Sequence, residues 1–317
     1  MSIGYMKFTD VIGCVVSVIL FLLAFTLLPF IGPFFSLLIP LPFLYYTSKL
    51  GHYQGLKIIA ITLLVIGLIG RFAGFPIIVF FCLEFSLLGM VISEIYRREF
   101  TFGFTIFWGT TLMLLFGAIV LVMIGLSKEM GPLELIFTYL QNNIDETVNI
   151  YGNMGLDQEK VIQLEYYGKV VANIISKIYP ALVIVGTGLV VWVNVVISRP
   201  LFRMGNIRYP DFGPMDRWQA PEFMVWGVIA AGFALFFPMA SIKLLAINSL
   251  IVLSVIYIFH GLSIVLFFFN KYRVPTWARF GSYILIVFQQ IFFVGLAFAG
   301  LFDQWIDFRK IHKKEES

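Results

Sequence analysis

Between residues 11 and 303 the chain is a succession of apolar blocks, with one sizeable polar stretch among them. Most blocks are about 20 residues long, enough for a helix to cross a hydrocarbon layer roughly 30 Å thick. Helices also satisfy internally the backbone groups that lipid cannot. The composition agrees: 60% of the residues are hydrophobic and 13% are charged, against about 25% charged in soluble domains. The chain therefore reads as an all-α integral membrane protein.

Nine blocks stand out, at 11–30, 33–47, 56–70, 77–93, 104–126, 180–197, 222–237, 244–269 and 281–301. They predict a polytopic bundle of about nine transmembrane helices, with eight as the alternative. Pro40 and Pro42 fall in the second block, where lost donors and ring clashes predict a bent or broken helix whose carbonyls need neighbours. Between the third and fourth, Arg71-Phe72-Ala73-Gly74-Phe75-Pro76 predicts a tight hairpin.

Residues 127–178 differ, with seven acidic and four basic side chains. Leu133, Ile136, Leu140, Ile144 and Val148 recur there at helical spacing, as do Val161, Leu164, Val171, Ile174 and Ile178. Two amphipathic helices are expected, lying on the membrane surface or capping the bundle. The expected organisation is one membrane domain. It has a five-span half at 1–126, an extracytoplasmic insert at 127–178, C-terminal spans at 179–303 and an interfacial, charged tail at 304–317.

Lysines and arginines of the short loops set the orientation. If every block crosses, Lys7, Lys49, Arg97, Arg98, Arg203, Arg208, Lys271 and Arg279 share one side with the N-terminus, which is then the cytoplasm. The expected location is the bacterial cytoplasmic (inner) membrane. Nine crossings would strand the basic tail, with Arg309, Lys310, Lys313 and Lys314, on the opposite side, and eight would not. The first block follows a signal-peptide-like start without a small-residue cleavage site, so it is taken as a retained span. A net charge of +4 concentrated at block ends suits lipid headgroups, and no nucleic-acid partner is expected. Cys14 and Cys82 lie in apolar runs and read as small buried hydrophobes.

No phosphate-binding P-loop, HExxH, GxSxG or Cys/His zinc spacing is present in the sequence. No catalytic residue, metal or cofactor is assigned, and the chain is not expected to be an enzyme. Polar groups inside the apolar blocks carry the remaining information, because each is costly in hydrocarbon unless it meets protein, water or a ligand. Glu84, Asn194 and His260 are the candidate solute contacts. Asn194, Asn248, Gln289 and Gln290 are also candidates for bonds between helices. Gly13 and Ser17 place small residues on the first helix, a candidate docking surface. Trp218, Trp226 and Trp305 stand at block borders and read as headgroup anchors. The run from Gly300 to Lys310 reads as an interfacial ending.

The Pro-rich second block leading into Leu50-Gly51-x-x-x-Gly55, the Gly-Arg-Phe-Ala-Gly hairpin, Trp218-x-Ala-Pro-Glu222 and the closing Gly-Leu-Phe-Asp-x-Trp-x-Asp-Phe-Arg-Lys resemble the YybS-like family of bacterial membrane proteins. That resemblance covers essentially the whole chain and brings no activity with it. The first six blocks are more distantly similar to the substrate-binding S subunits of energy-coupling-factor vitamin transporters. Those subunits bind a small metabolite and dock, through small residues on the first helix, on a transmembrane coupling protein with two ATPases. Gly13 and Ser17 are a loose match to those residues. The acidic insert and the extra C-terminal blocks are departures from that pattern. The leading expectation is a membrane-embedded small-solute binding or transport component without its own ATPase. A non-catalytic membrane scaffold or regulator is the alternative, and an intramembrane enzyme ranks third.

Overall fold

The computed structural model describes residues 6–75, 78–153 and 158–310, and the regular elements among them are all helical. In chain order they are α1 (Phe8–Leu27), α2 (Gly32–Ser36), α3 (Pro40–Leu50), α4 (His52–Phe72), α5 (Ile78–Arg97), α6 (Phe102–Ser127) and α7 (Pro132–Asn153). There follow α8 (Gln158–Met204), a single 3-10 turn (Met215–Arg217), α9 (Met224–Ala234), α10 (Ala240–Lys271), α11 (Thr276–Phe288) and α12 (Gln290–Ile306). The chain forms two compact units. One holds the residues up to Gly117 with Gly186–Phe212, and the other holds Ala118–Val185 with the chain from Gly213 on.

Among the described residues six helices are long and apolar enough to cross a membrane: α1, α4, α5, α6, α8 and α10. Counting the bent pair α11 and α12 as one span makes seven. The expected nine is thus not reached, because the second and seventh blocks do not form long helices. The seventh yields only the 11 residues of α9, about 16 Å of helix against a layer of roughly 30 Å. The second breaks into α2 and α3 around its prolines.

The broken second block still returns the chain along α1. Asp10 lies in the first turn of α1 and Lys49 in the last turn of α3, and their charged groups meet at 2.7 Å. The break has a specific repair. Pro40 has no N–H to offer the Leu37 carbonyl, and the N–H of Leu41 bonds Leu38 instead. Asn194, on α8, fills the gap by donating from Nδ2 to the Leu37 carbonyl at 2.7 Å. The expected hairpin after α4 ends on Gly74 at φ +82, with Phe75 N–H bonded to the Gly70 carbonyl at 2.7 Å. This is a glycine-terminated helix cap, in which a left-handed residue closes the last turn. Pro76 of the predicted turn lies outside the described residues.

The insert contains the two expected helices, but the second does not stop before Pro180: α8 runs on through the sixth block as one helix of 47 residues. Its inward face also differs from the expected stripe. Ala172 is buried and Gly168 meets Ile144 of α7, whereas Leu164, Val171 and Ile174 are exposed. Small residues let α8 approach α7 closely, which turns the larger apolar stripe outward, as in a helix lying on lipid.

In the second unit α10 packs against α12 and α9. Gly261 and Gly300 set the α10–α12 crossing. A Cβ on Gly261 would strike the Leu296 carbonyl, and one on Gly300 the Tyr257 carbonyl. Helices α11 and α12 meet at 103°. A straight helix over 276–306 would hold its ends about 46 Å apart. Instead both ends return to one corner. Arg279 donates to the Asn270 side chain at 2.8 Å, Asn270 to Asp216 at 2.9 Å, and Arg309 to the Asp216 carbonyl at 2.9 Å.

Candidate functional site

The structure separates the three expected solute contacts by environment. Glu84 is exposed on α5 and has no hydrogen bond or ion pair with any described residue. Asn194 is fully buried in the first unit, with Nδ2 shared between the carbonyls of Leu37 and Val190 and Oδ1 unpartnered. His260 is fully buried in the second unit. On α1 the space beside Gly13 is taken by the Tyr46 hydroxyl, so this small residue serves packing against α3. Ser17 is half-buried. Trp226 and Trp305 are exposed, whereas Trp218 sits edge-on to His260 with ring centroids 6.2 Å apart.

Around His260 lies a buried polar cluster. The Asp303 and Arg309 side chains are sealed from solvent, with Arg309 Nη2 at 2.8 Å from Asp303 Oδ2. His260 Nε2 is 3.1 Å from the same oxygen and Arg309 Nη2 packs 2.9 Å from it. His260 Nε2 thus lies between the Asp303 carboxylate, an acceptor, and the Arg309 guanidinium, a donor, while Nδ1 has no hydrogen-bond partner among the described residues. Ser263 donates to the carbonyls of Met215 and Trp218, and Arg309 Nη1 reaches Ser263, Asp216 and Trp218. Asp307 makes this possible: its left-handed backbone, φ 45°, reverses the chain after α12, so that Arg309 folds back. One acid and one cation cancel in charge, and the cluster clasps the C-terminal segment onto the 215–220 loop. Within the run expected to be an interfacial ending, Phe302 and Trp305 are exposed, whereas Asp303 and Arg309 are buried.

This pairing escaped the sequence reading because Arg309 adjoins Lys310 and looks like part of a charged tail. Asp303 at the edge of an apolar block was the available signal, since a carboxylate there needs a partner.

A cavity of about 240 Å³ opens in the first unit where α3, α5 and α8 end. Its walls are Ser48 and Lys49 from α3, Ser93, Tyr96 and Arg97 from α5, Glu99 beyond it, and Gly205, Asn206, Ile207 and Arg208 beyond α8. Tyr96 is its aromatic floor, standing edge-to-face against Phe202, Tyr209 and Phe212 at centroid distances of 5.5 to 5.8 Å. The Tyr96 hydroxyl meets Ser198 at 2.8 Å, and Tyr209 donates to the Val195 carbonyl at 3.0 Å. Burial pushes the Tyr209 phenol up to about 12. Arg97 is steadied by the Thr47 carbonyl at 3.1 Å, and Arg208 pairs with Glu99. The ends of three helices thus bring polar groups together around one space. A second cavity of similar volume, between α7 and α8, is lined by Gln141, Ile144, Asp145 and Lys169. Among the described residues there is no group of three or more His, Cys, Asp or Glu side chains that could hold a metal. Cys14 and Cys82 are both buried and unpaired.

A family model described as "Predicted membrane protein (DUF2232)" matches residues 15–304. The chain is 22% identical over 287 residues to a protein of Bacillus subtilis (strain 168) described as "Uncharacterized protein YybS", covering 89% of this chain and 90% of that one. No solved structure matches.

Proposed function

This chain belongs to the DUF2232 family of predicted membrane proteins, and from that premise we propose that it is a membrane-embedded small-solute binding or transport component. The cavity at the ends of α3, α5 and α8 carries this reading, because polar groups from three helix ends converge on it. Of the three side chains expected to bind solute, Asn194 and His260 are engaged within the protein. Glu84 is the one open to a ligand or a second protein. Lys49, Arg97 and Arg208 bring positive charge to the cavity end, so that end faces the cytoplasm of a bacterial inner membrane, with the N-terminus beside it. With no P-loop in the sequence, transport would draw on an ion gradient or a partner ATPase.

The test is a thermal-shift screen of the purified full-length protein in mild detergent against a metabolite panel. At least one solute should raise the melting midpoint saturably, and Ile207→Trp, which fills the cavity, should abolish the shift. A panel without a saturable shift would remove the proposal.

A second reading, a non-catalytic scaffold, has one observation in its favour: α11 has no buried residue and exposes Trp277, Phe280, Val287 and Phe288. Under that reading, stable protein companions accompany the chain through detergent purification, and no solute shift occurs.

A further inference from the structure

The cavity at the ends of α3, α5 and α8 has a marked charge. Lys49, Arg97 and Arg208 line it and Glu99 is the one acid of the wall, a formal +2 among its lining residues, while Asp10 and Glu94 pair with Lys49 and Arg97 from outside the wall. Two serine hydroxyls share the wall. Ser48 donates to Ser93 at 2.9 Å, which leaves the Ser93 proton for a ligand. Arg97 keeps donors in reserve, because its one carboxylate neighbour, Glu94, is loosely placed at 3.7 Å. Asp10 holds Lys49 from outside the cavity wall.

We infer that this cavity binds a phosphate monoester group. The inference rests on the solute-binding reading and names its ligand class. A carboxylate presents one charge and two oxygens, whereas a phosphate monoester carries about two charges and three strong acceptor oxygens. Two guanidinium groups and a hydroxyl, with the Asp10-paired Lys49 ammonium beside them, match the larger demand, and planar guanidinium donors favour phosphate oxygens in particular. The pocket is smaller than the roughly 300–1,000 Å³ that encloses a drug-sized molecule. It therefore takes the charged head and leaves the rest of the ligand outside. Glu99 competes for Arg208 at the exposed mouth, so an arriving phosphate exchanges one anion for another there.

Two sources can present this group, a lipid headgroup or a soluble ester. The experiment uses full-length protein in neutral detergent, titrated in separate arms with glycerol 3-phosphate and with phosphatidic acid in mixed micelles. Phosphatidylcholine is the control in both. A saturable rise in melting midpoint in either arm is expected, and the responding arm identifies the source. Arg97→Gln and Ser93→Ala should each weaken binding, the arginine change by roughly ten- to a hundredfold. Glu99→Gln should bind at least as tightly as the parent. Failure of both arms overturns the phosphate assignment. If a neutral or cationic solute then binds and Ile207→Trp blocks it, the solute-binding reading survives alone. If nothing binds, both fall.

Discussion

Arg309 Nη2 lies 2.8 Å from Asp303 Oδ2, and neither side chain reaches solvent. Removing one member of such a pair strands the other charge in a low-dielectric interior, at a cost of about 3–5 kcal/mol. Asp303→Ala and Arg309→Ala should therefore each lower the melting midpoint sharply in fluorescence-detected gel filtration. Removing both charges with apolar groups of similar size, Asp303→Leu with Arg309→Met, should recover much of the loss. A double variant as unstable as the sum of the singles would show that the pair is not the clasp.

Asn248 bridges a proline break in the second unit much as Asn194 does in the first. Its Oδ1 accepts the Ala181 N–H at 2.9 Å and its Nδ2 donates to the Lys177 carbonyl at 2.9 Å. Those two backbone groups are the pair an uninterrupted α-helix would bond directly, and Pro180 stands between them. Asn248→Ala should cost about 0.5–2 kcal/mol, the range for polar contacts between membrane helices. In a Pro180→Ala background the helix can close its own ladder, so the same change should be nearly neutral. Equal losses in both backgrounds would refute the coupling.

The contrast between these two sites shows how far sequence reasoning reached. Long apolar runs announce their solvent, and Pro40 and Gly74 announce the broken helix and the tight hairpin, because backbone sterics act locally. Partners that depend on the chain returning from a distance were not legible. Gly261 and Gly300 lie in separate blocks, so no short-range spacing marks them as the α10–α12 crossing. Arg309 looks like tail until the left-handed Asp307 turns it inward. Nor could hydropathy alone divide α11 from α12, since Gln289 interrupts an apolar run without a proline or glycine to mark the bend. That bend is what leaves the described helices at six spans or seven, according to whether the pair is counted as one.

The α10–α12 crossing has no room for side-chain atoms. A methyl on Gly261 or Gly300 would press on backbone carbonyls, which cannot swing aside as a flexible side chain can. Gly261→Ala and Gly300→Ala should each destabilise by about 1–3 kcal/mol, the usual range for overpacking. Gly232, beside which a Cβ would meet no heavy atom, is the control. Equal melting midpoints for all three variants would argue against a close crossing.

Because both ends of the α11–α12 pair are tied to Asn270 and Asp216, the pair should dip into the membrane and return. In a background lacking Cys14 and Cys82, single cysteines at Arg273 and Lys310 should react with an impermeant maleimide from the same side. A cysteine at Met239, before the far end of α10, should react from the other. Labelling of Arg273 and Lys310 positions from opposite sides would make the pair one complete span and restore the basic tail to the side that nine crossings demand.

Tyr209 supplies a pH test of the aromatic floor. Its ordinary value is 10.0, and burial raises it to about 12 in the folded protein. A raised folded value means the neutral phenol is favoured by folding. Its contribution is therefore complete below pH 10 and is lost as pH climbs from 10 towards 12. In Tyr209→Phe that alkaline loss should shrink, although the variant starts lower because the bond to the Val195 carbonyl is gone. Melting curves of both proteins between pH 8 and 12 make the comparison. Parallel curves across that window would mean that the phenol ionises as freely folded as unfolded, and that the floor beneath the cavity is wet.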